Sequence, residues 1–364
     1  MQAQFGKYRI VRKLATGGMA DIYLAVIDGP DGFSKTCVVK RILSEYASMD
    51  VFSRMFAGEA KVAALLNHPN IVQVFDFGKI DGQYFIAMEW VQGASLDRVV
   101  RRAARASFRL GPRMAVNVGV ALAEALNYAH SRTLPDGTPL RLVHRDITPG
   151  NVLLSRDGMV KLADFGIVKS SVNPEQTAVG VVKGKYPYMS PEQVLNKELD
   201  ARSDLFSLGI VLYELSTSKY VFKRETLEQT IVAISRAEVP PPSSQVKDYP
   251  PALEGIVLKL LALAPEDRYQ TAAELHAALE QFRTSQSWTG GGRDISMMMA
   301  ELFPPGTEDE LPAEPISSAS LEPSPPVNRP IDVATAEEGG FPWLLAAAAG
   351  AAILGTIVFW AAFA

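Results

Sequence analysis

The chain has 364 residues, a net charge of −4 and one cysteine, Cys37. A single cysteine excludes an internal disulfide, and four scattered histidines argue against a His/Cys metal cage. The acidic balance speaks against a general nucleic-acid binder, while 48% hydrophobic residues can supply a sizeable core.

In chain order, 8–15 and 21–26 read as strands flanking a glycine turn, and 36–42 as a third. Helical spacing follows over 51–66, then strands at 71–77 and 84–89. After Gly93 the pattern changes. Residues 112–131 open on proline and are apolar nearly all round, which predicts a buried helix. Further helices are expected over 203–216, 252–263 and 271–283. Strands first and helices later predict an α+β architecture, with a small sheet-rich lobe joined to a larger helical one.

Beyond 283 the composition shifts. Residues 284–340 hold ten acidic and two basic residues, a net charge of −8, and 341–364 hold no charge at all. That leaves +4 for residues 1–283 out of the total of −4. The proline- and serine-containing stretch 284–340 is expected as a disordered or extended linker. Within it Ile295, Met298, Met299 and Leu302 fall at helical spacing behind Asp294, read as an N-cap, so a short amphipathic helix is expected there, docked or free. Residues 341–364 are long enough for a single membrane-spanning helix, with Trp343 and Trp360 near its ends. A buried helix or a cleaved targeting signal is the competing reading. Ala347 and Ala351 would let two such helices approach, which adds a homodimer to the expectations. The amino terminus has no secretory signal, so residues 1–283 are expected to stay on the cytoplasmic side of that membrane.

Four motifs carry chemistry. Around Gly17-Gly18, with Ala15 and Ala20 outside them, a small-residue turn would let backbone N–H groups approach phosphate oxygens; alone it reads as a plain hairpin turn. Lys40 ends an apolar strand and needs a counterion, for which Glu59 is the candidate. The run His144-Arg145-Asp146-Ile147-Thr148-Pro149-Gly150-Asn151 places a carboxylate and a carboxamide in one loop. Asp164-Phe165-Gly166 adds a second carboxylate, and such hard oxygens suit Mg²⁺.

In this order and spacing the set resembles the protein kinase family over roughly 5–283, and its wording is similar to the bacterial eukaryotic-like serine/threonine kinases. The resemblance implies a two-lobed kinase fold, with an N-lobe over about 1–88 and a C-lobe over about 92–283. It implies ATP and Mg²⁺ as ligands and Ser/Thr-bearing proteins as substrates. Ala15, Gly17, Gly18, Ala20, Ile22 and Val38 would then cover the nucleotide, and Glu89 and Val91 would form the hinge that binds adenine. Lys40 would hold the α- and β-phosphates with Glu59 fixing it, Asn151 and Asp164 would hold the metal, and Asp146 would take the hydroxyl proton. Glu192 in Ser190-Pro191-Glu192 would pair with Arg268, and Asp204 would brace the catalytic loop. Thr177, or else Ser170 or Ser171, is the expected site of activating phosphorylation, to be read by Arg145.

Two positions depart from the family pattern. Thr148 stands where Ser/Thr kinases usually carry lysine, and Lys185 stands where they usually carry threonine. Lys185 is therefore expected either to supply the missing charge or to be a solvated loop lysine. The turn Pro135-Asp136-Gly137-Thr138-Pro139 is an insertion before the catalytic loop with no legible role. The competing reading is a nucleotide-binding pseudokinase acting as a membrane-tethered scaffold, for which Thr148 is the sequence support. Tyrosine specificity ranks behind both, because the arginine usual after the catalytic aspartate of tyrosine kinases is absent.

Overall fold

The computed structural model describes residues 4–17, 19–47, 49–134, 136–165 and 186–304. All of them belong to the unit Met1–Ile316. Gly18, Gly166, Ser170, Ser171, Thr177, Lys185 and the segments 305–340 and 341–364 lie outside the described residues.

The N-lobe is built on a six-stranded antiparallel sheet. Its strands are β1 (Gln4–Phe5), β2 (Tyr8–Thr16), β3 (Ala20–Asp28), β4 (Ser34–Ile42), β5 (Val74–Ile80) and β6 (Gln83–Glu89), in the order β1-β2-β3-β4-β6-β5. Side chains alternate across a strand, and β4 shows the consequence. Cys37 and Val39 enter one apolar cluster with Tyr8, Ala25 and Phe85, while Val38, Lys40 and Ile42 share the other face. Tyr8 on β2 donates its hydroxyl to Asp76 on β5, which ties together strands that the sheet order keeps apart. Two helices follow β4, a short α1 (Ser44–Ala47) and α2 (Asp50–Ala63). The strand predicted from 71 begins only at Val74; Ile71 instead bridges to Leu162 in the other lobe.

The C-lobe surrounds two buried helices. They are α4 (Gly111–His130), which carries Pro112 in its first turn, and α6 (Ala201–Thr217), capped by Asp200 accepting from the Arg202 amide at 2.8 Å. Helix α3 (Leu96–Arg105) buries Leu96, Val99 and Ala103 and turns its arginine-rich side outward. A small sheet of β7 (Gly93–Ser95), β8 (Val152–Ser155) and β9 (Val160–Leu162) flanks the 142–151 loop. Gly93 has no room for a side chain, since a Cβ there would lie 1.8 Å from the Leu154 carbonyl oxygen. Helices α5 (Pro191–Val194), α7 (Leu227–Ser235), α8 (Pro242–Gln245), α9 (Pro251–Leu260) and α10 (Ala272–Ser285) complete the lobe.

The folded part does not stop at 283. Helix α11 (Gly291–Leu302) lies on α3 and α4, and Ile295, Met298, Met299, Leu302 and Phe303 are all buried in the main core. The amphipathic helix expected within 284–340 is present and docked, so the extended linker does not begin at 284. The expected cap is corrected too: Gly290 precedes the helix, and Asp294 is turned to Arg113. Among the described residues no helix is long and apolar enough to cross a membrane.

One buried ion pair anchors the outer part of the C-lobe. The Arg268 guanidinium is fully buried and grips Glu192 through two bonds, at 2.8 and 3.0 Å. It also donates to the Ala262 and Leu263 carbonyls, and Ser203 donates to Glu192 at 2.6 Å. Removing one partner of such a pair strands a buried charge. Arg268→Met is expected to lower the unfolding free energy by about 3–5 kcal/mol in a denaturant titration. A loss below about 1 kcal/mol would mean that water reaches the Glu192 carboxylate.

Candidate active site

Three chain segments meet at the Lys40 ammonium. Register places Lys40 on central strand β4 between Ile22 of β3 and Ile86 of β6, on the strand face that it shares with Val38. Its Nζ lies 2.6 Å from Glu59 Oε1 on α2 and 3.0 Å from Asp164 Oδ1, two residues past β9. Burial alone would push the ammonium down, but the Asp164 and Glu59 carboxylates outweigh it and hold the group charged, well above the ordinary lysine range. Asp164 adopts φ +55°, a left-handed conformation that few residues other than glycine take.

The loop before β8 has little regular structure, so its groups are held by hydrogen bonds to side chains. The Asp204 carboxylate on α6 accepts the backbone N–H groups of His144 (2.7 Å) and Arg145 (2.8 Å) and contacts His130 Nε2 at 2.9 Å. His144 is fully buried, its Nε2 lies 3.1 Å from the Ala163 carbonyl, and its ring packs on Phe165. Asn151 donates its side-chain amide to the Asp146 carbonyl (2.8 Å) and to Asp146 Oδ2 (2.9 Å). The Ala163 N–H donates to the Asn151 carbonyl at 2.8 Å, so Asp146, Asn151 and Asp164 are tied into one frame. The Arg145 guanidinium has Nε and one Nη buried without a hydrogen-bond partner among the described residues, while its carbonyl accepts from Gln193 at 3.0 Å.

The remaining predicted residues belong to β2, β3, β4 and the end of β6 or flank them. Ala15 pairs with Ile22 across β2 and β3, and the Gly17 N–H donates to the Ala20 carbonyl at 2.8 Å, closing the turn. Val38 is nearly buried opposite Leu24 and Met88. Glu89 ends β6, and its carboxylate accepts from Lys161 (2.7 Å) and from the Gln73 N–H (2.8 Å); Val91 lies just beyond. A cavity of about 20 Å³ is lined by Glu59, Ile86, Met88, Leu162, Asp164 and Phe165. Gly18 and Lys185 lie outside the described residues.

The donor set fits Mg²⁺. Asn151 uses its N–H groups on Asp146, which leaves its side-chain carbonyl oxygen as a hard donor, and the Asp164 carboxylate supplies another. No cluster of three or more His, Cys, Asp or Glu residues suited to a metal exists among the described residues, so phosphate oxygens and water would complete the shell.

A family model described as the protein kinase domain matches residues 8–279. The chain belongs to the protein kinase family. It is 43% identical over 288 residues to a protein named tyrosine-protein kinase MasK from Myxococcus xanthus (strain DK1622), covering 79% of this chain and 44% of that one. It is 34% identical over 278 residues to serine/threonine-protein kinase PrkC of Bacillus subtilis (strain 168), covering 76% and 40%. The chain therefore spans less than half the length of either relative. Among solved structures it is similar to the Mycobacterium tuberculosis PknI kinase domain, with a TM-score of 0.57 and 30% identity over 77% of this chain and 98% of that one.

The chain also carries partly buried titratable residues that sequence reasoning passes over. His130, in the last turn of α4, reaches Asp204, and nothing in its spacing marks it. On α6, Glu214 accepts from the Tyr188 hydroxyl at 2.8 Å, and its Oε1 is buried without a hydrogen-bond partner among the described residues. Burial pushes the Glu214 carboxyl up to about 8 from 4.5, against the lowering bond from Tyr188. Between those two values the folded protein binds a proton that the unfolded chain has released. Its contribution is therefore fully present below pH 4.5 and is lost as pH rises to 8. Glu214→Gln, which stays neutral, is expected to gain in thermal midpoint relative to the parent as pH rises from about 5 to about 8 and to gain no more above. Parallel curves for the two proteins would contradict the burial account.

Proposed function

We propose that the chain is a Mg²⁺- and ATP-dependent protein kinase that phosphorylates serine and threonine hydroxyls, including its own. The observation that carries this reading is the convergence of Lys40, Glu59 and Asp164 with the Asp146–Asn151 pair. Lys40, braced by Glu59, would grip the α- and β-phosphates. Asn151 and Asp164 would hold Mg²⁺, which when bound neutralises charge developing on the transferred group. Asp146 would orient the attacking hydroxyl and accept its proton as the new P–O bond forms and the β–γ bridging bond breaks. Positioning and electrostatics then do most of the catalysis.

The serine/threonine assignment is supported by PrkC and by two further relatives named serine/threonine-protein kinases, PknH and PknB. A second reading, tyrosine specificity, has the name of MasK in its favour. The pseudokinase scaffold is not favoured, because Lys40, Asp146, Asn151 and Asp164 are all present. We place the kinase domain on the cytoplasmic side of a membrane, anchored by 341–364, with a second copy as partner through Ala347 and Ala351. The composition of that segment supports this placement.

With the whole chain, radiolabelled γ-phosphate should appear on phosphoserine and phosphothreonine, and Asp146→Asn should abolish the transfer. Label confined to phosphotyrosine would favour the second reading, and labelling by Asp146→Asn equal to the parent's would defeat the kinase mechanism. Thr148 is buried and its carbonyl accepts from the Asn151 N–H at 3.0 Å, so the position usually held by lysine carries no charge. If Lys185 supplies that charge, Lys185→Met should slow transfer by about 10²–10³-fold. Full activity in the methionine variant would show Lys185 to be a solvated loop residue.

A further inference from the structure

Helix α11 lies beyond the stretch matched by the kinase family, which ends at 279. It packs on α3, α4 and β8, and β8 leads directly out of the 142–151 loop. Gly158, in the β8–β9 turn, sits against Gly292 in the first turn of α11. A Cβ on Gly158 would lie 1.8 Å from the Gly292 carbonyl oxygen and 3.0 Å from its Cα, so this is backbone against backbone. Gly158 also holds φ +87°, which the turn needs to make that approach.

The helix is pinned on its other side. Asp294 accepts two bonds from Arg113, at 2.8 and 2.9 Å, and one from Asn117 at 3.0 Å, both residues of α4. Arg113 also donates to the Thr289 carbonyl at 3.3 Å. At the far end the Arg102 guanidinium of α3 covers the Phe303 ring, 5.4 Å from its centroid. Between these points Ile295, Met298, Met299 and Leu302 are each 3% exposed or less. A paired bidentate contact and a filled apolar face leave α11 little freedom to slide.

What α11 touches leads directly to the metal-type donors. Asn151 immediately precedes β8, and Asp164 follows β9 by two residues. The strands between are only four and three residues long. The turn that joins them is closed by the Gly158 N–H on the Ser155 carbonyl (3.1 Å) and tied towards β7 by the Arg156 N–H on the Gln92 carbonyl (2.8 Å). So short a hairpin passes a displacement of its tip to both of its ends.

We propose that α11 is a positioning element of the active site. Through the Gly158–Gly292 contact it sets the β8–β9 hairpin, and through the hairpin it sets Asn151 and Asp164. The proposal rests on the kinase reading of these two residues, and its test is chosen to be separable from catalysis.

The test uses the whole chain with Asp294→Ala, Asp294→Asn and Gly158→Ala. The first readout is amide hydrogen exchange over 152–162 without metal or nucleotide. The second is the affinity for ADP at a series of Mg²⁺ concentrations, by calorimetry. Asp294→Ala and Gly158→Ala should each speed exchange in the hairpin and weaken Mg²⁺-dependent ADP binding by about tenfold, the scale of lost second-layer support at metal sites. Asp294→Asn, whose one carbonyl oxygen can still accept from Arg113 and Asn117 while its NH2 replaces the other acceptor, should lose less of both than Asp294→Ala. If Gly158→Ala does not fold, Asp294→Ala still decides the matter, since it leaves the apolar face of α11 intact. Unchanged hairpin exchange would overturn the proposal, and so would faster exchange with unchanged Mg²⁺ dependence, which would make α11 packing alone. Absence of phosphoryl transfer in the parent chain would count against the kinase reading and leave both readouts valid.

Discussion

The structure turns on one buried ammonium. Lys40 is held between Glu59 and Asp164, and these three groups come from β4, α2 and the segment after β9. A charge in a poorly solvated cleft is strongly unfavourable until it is paired, so the three segments are compelled to converge. Because Lys40 and Glu59 belong to the N-lobe and Asp164 to the C-lobe, the same interaction that neutralises the lysine also links the two lobes. The parity of β4 makes this possible: an apolar strand interior turns Cys37 and Val39 into the lobe core and leaves Lys40 facing the cleft.

The 142–151 loop solves a different problem. It cannot rely on a ladder of backbone bonds, and it must still present Asp146 rigidly. The Asp204 carboxylate does this from α6 by accepting two consecutive loop amides, with His130 alongside. Asn151 then fixes Asp146 through both its carbonyl and its carboxylate. Charge-assisted bonds of this kind are short and directional, which suits a loop whose geometry has to survive ligand exchange.

How much of this is legible in the sequence follows from how local each signal is. Lys40, Asp146, Asn151 and Asp164 stand in short motifs, Glu59 follows as the counterion that Lys40 needs, and the structure brings them to one place. The main strands and the long helices α4 and α6 announce themselves by periodicity, with ends shifted by a few residues. Strands β7, β8 and β9 escape such a reading, because three or four residues carry no period. Helix α3 escapes it because its buried positions are few among arginines. The stripe on α11 is visible, but its docking is not: the receiving face on α4 is part of a helix that is apolar nearly all round, which hides where a partner sits. His130 and Glu214 give no signal, since their roles arise only when distant segments meet.

The central claim is that Lys40 acts as a unit with Glu59. It is tested most directly by initial rates of phosphoryl transfer for Lys40→Met, Glu59→Gln and the double variant of the whole chain. If Glu59 works only by holding the ammonium, Glu59→Gln should lose most of the activity that Lys40→Met loses, and the double variant should be no slower than Lys40→Met alone. Losses that multiply in the double variant would show two independent contributions and contradict the account.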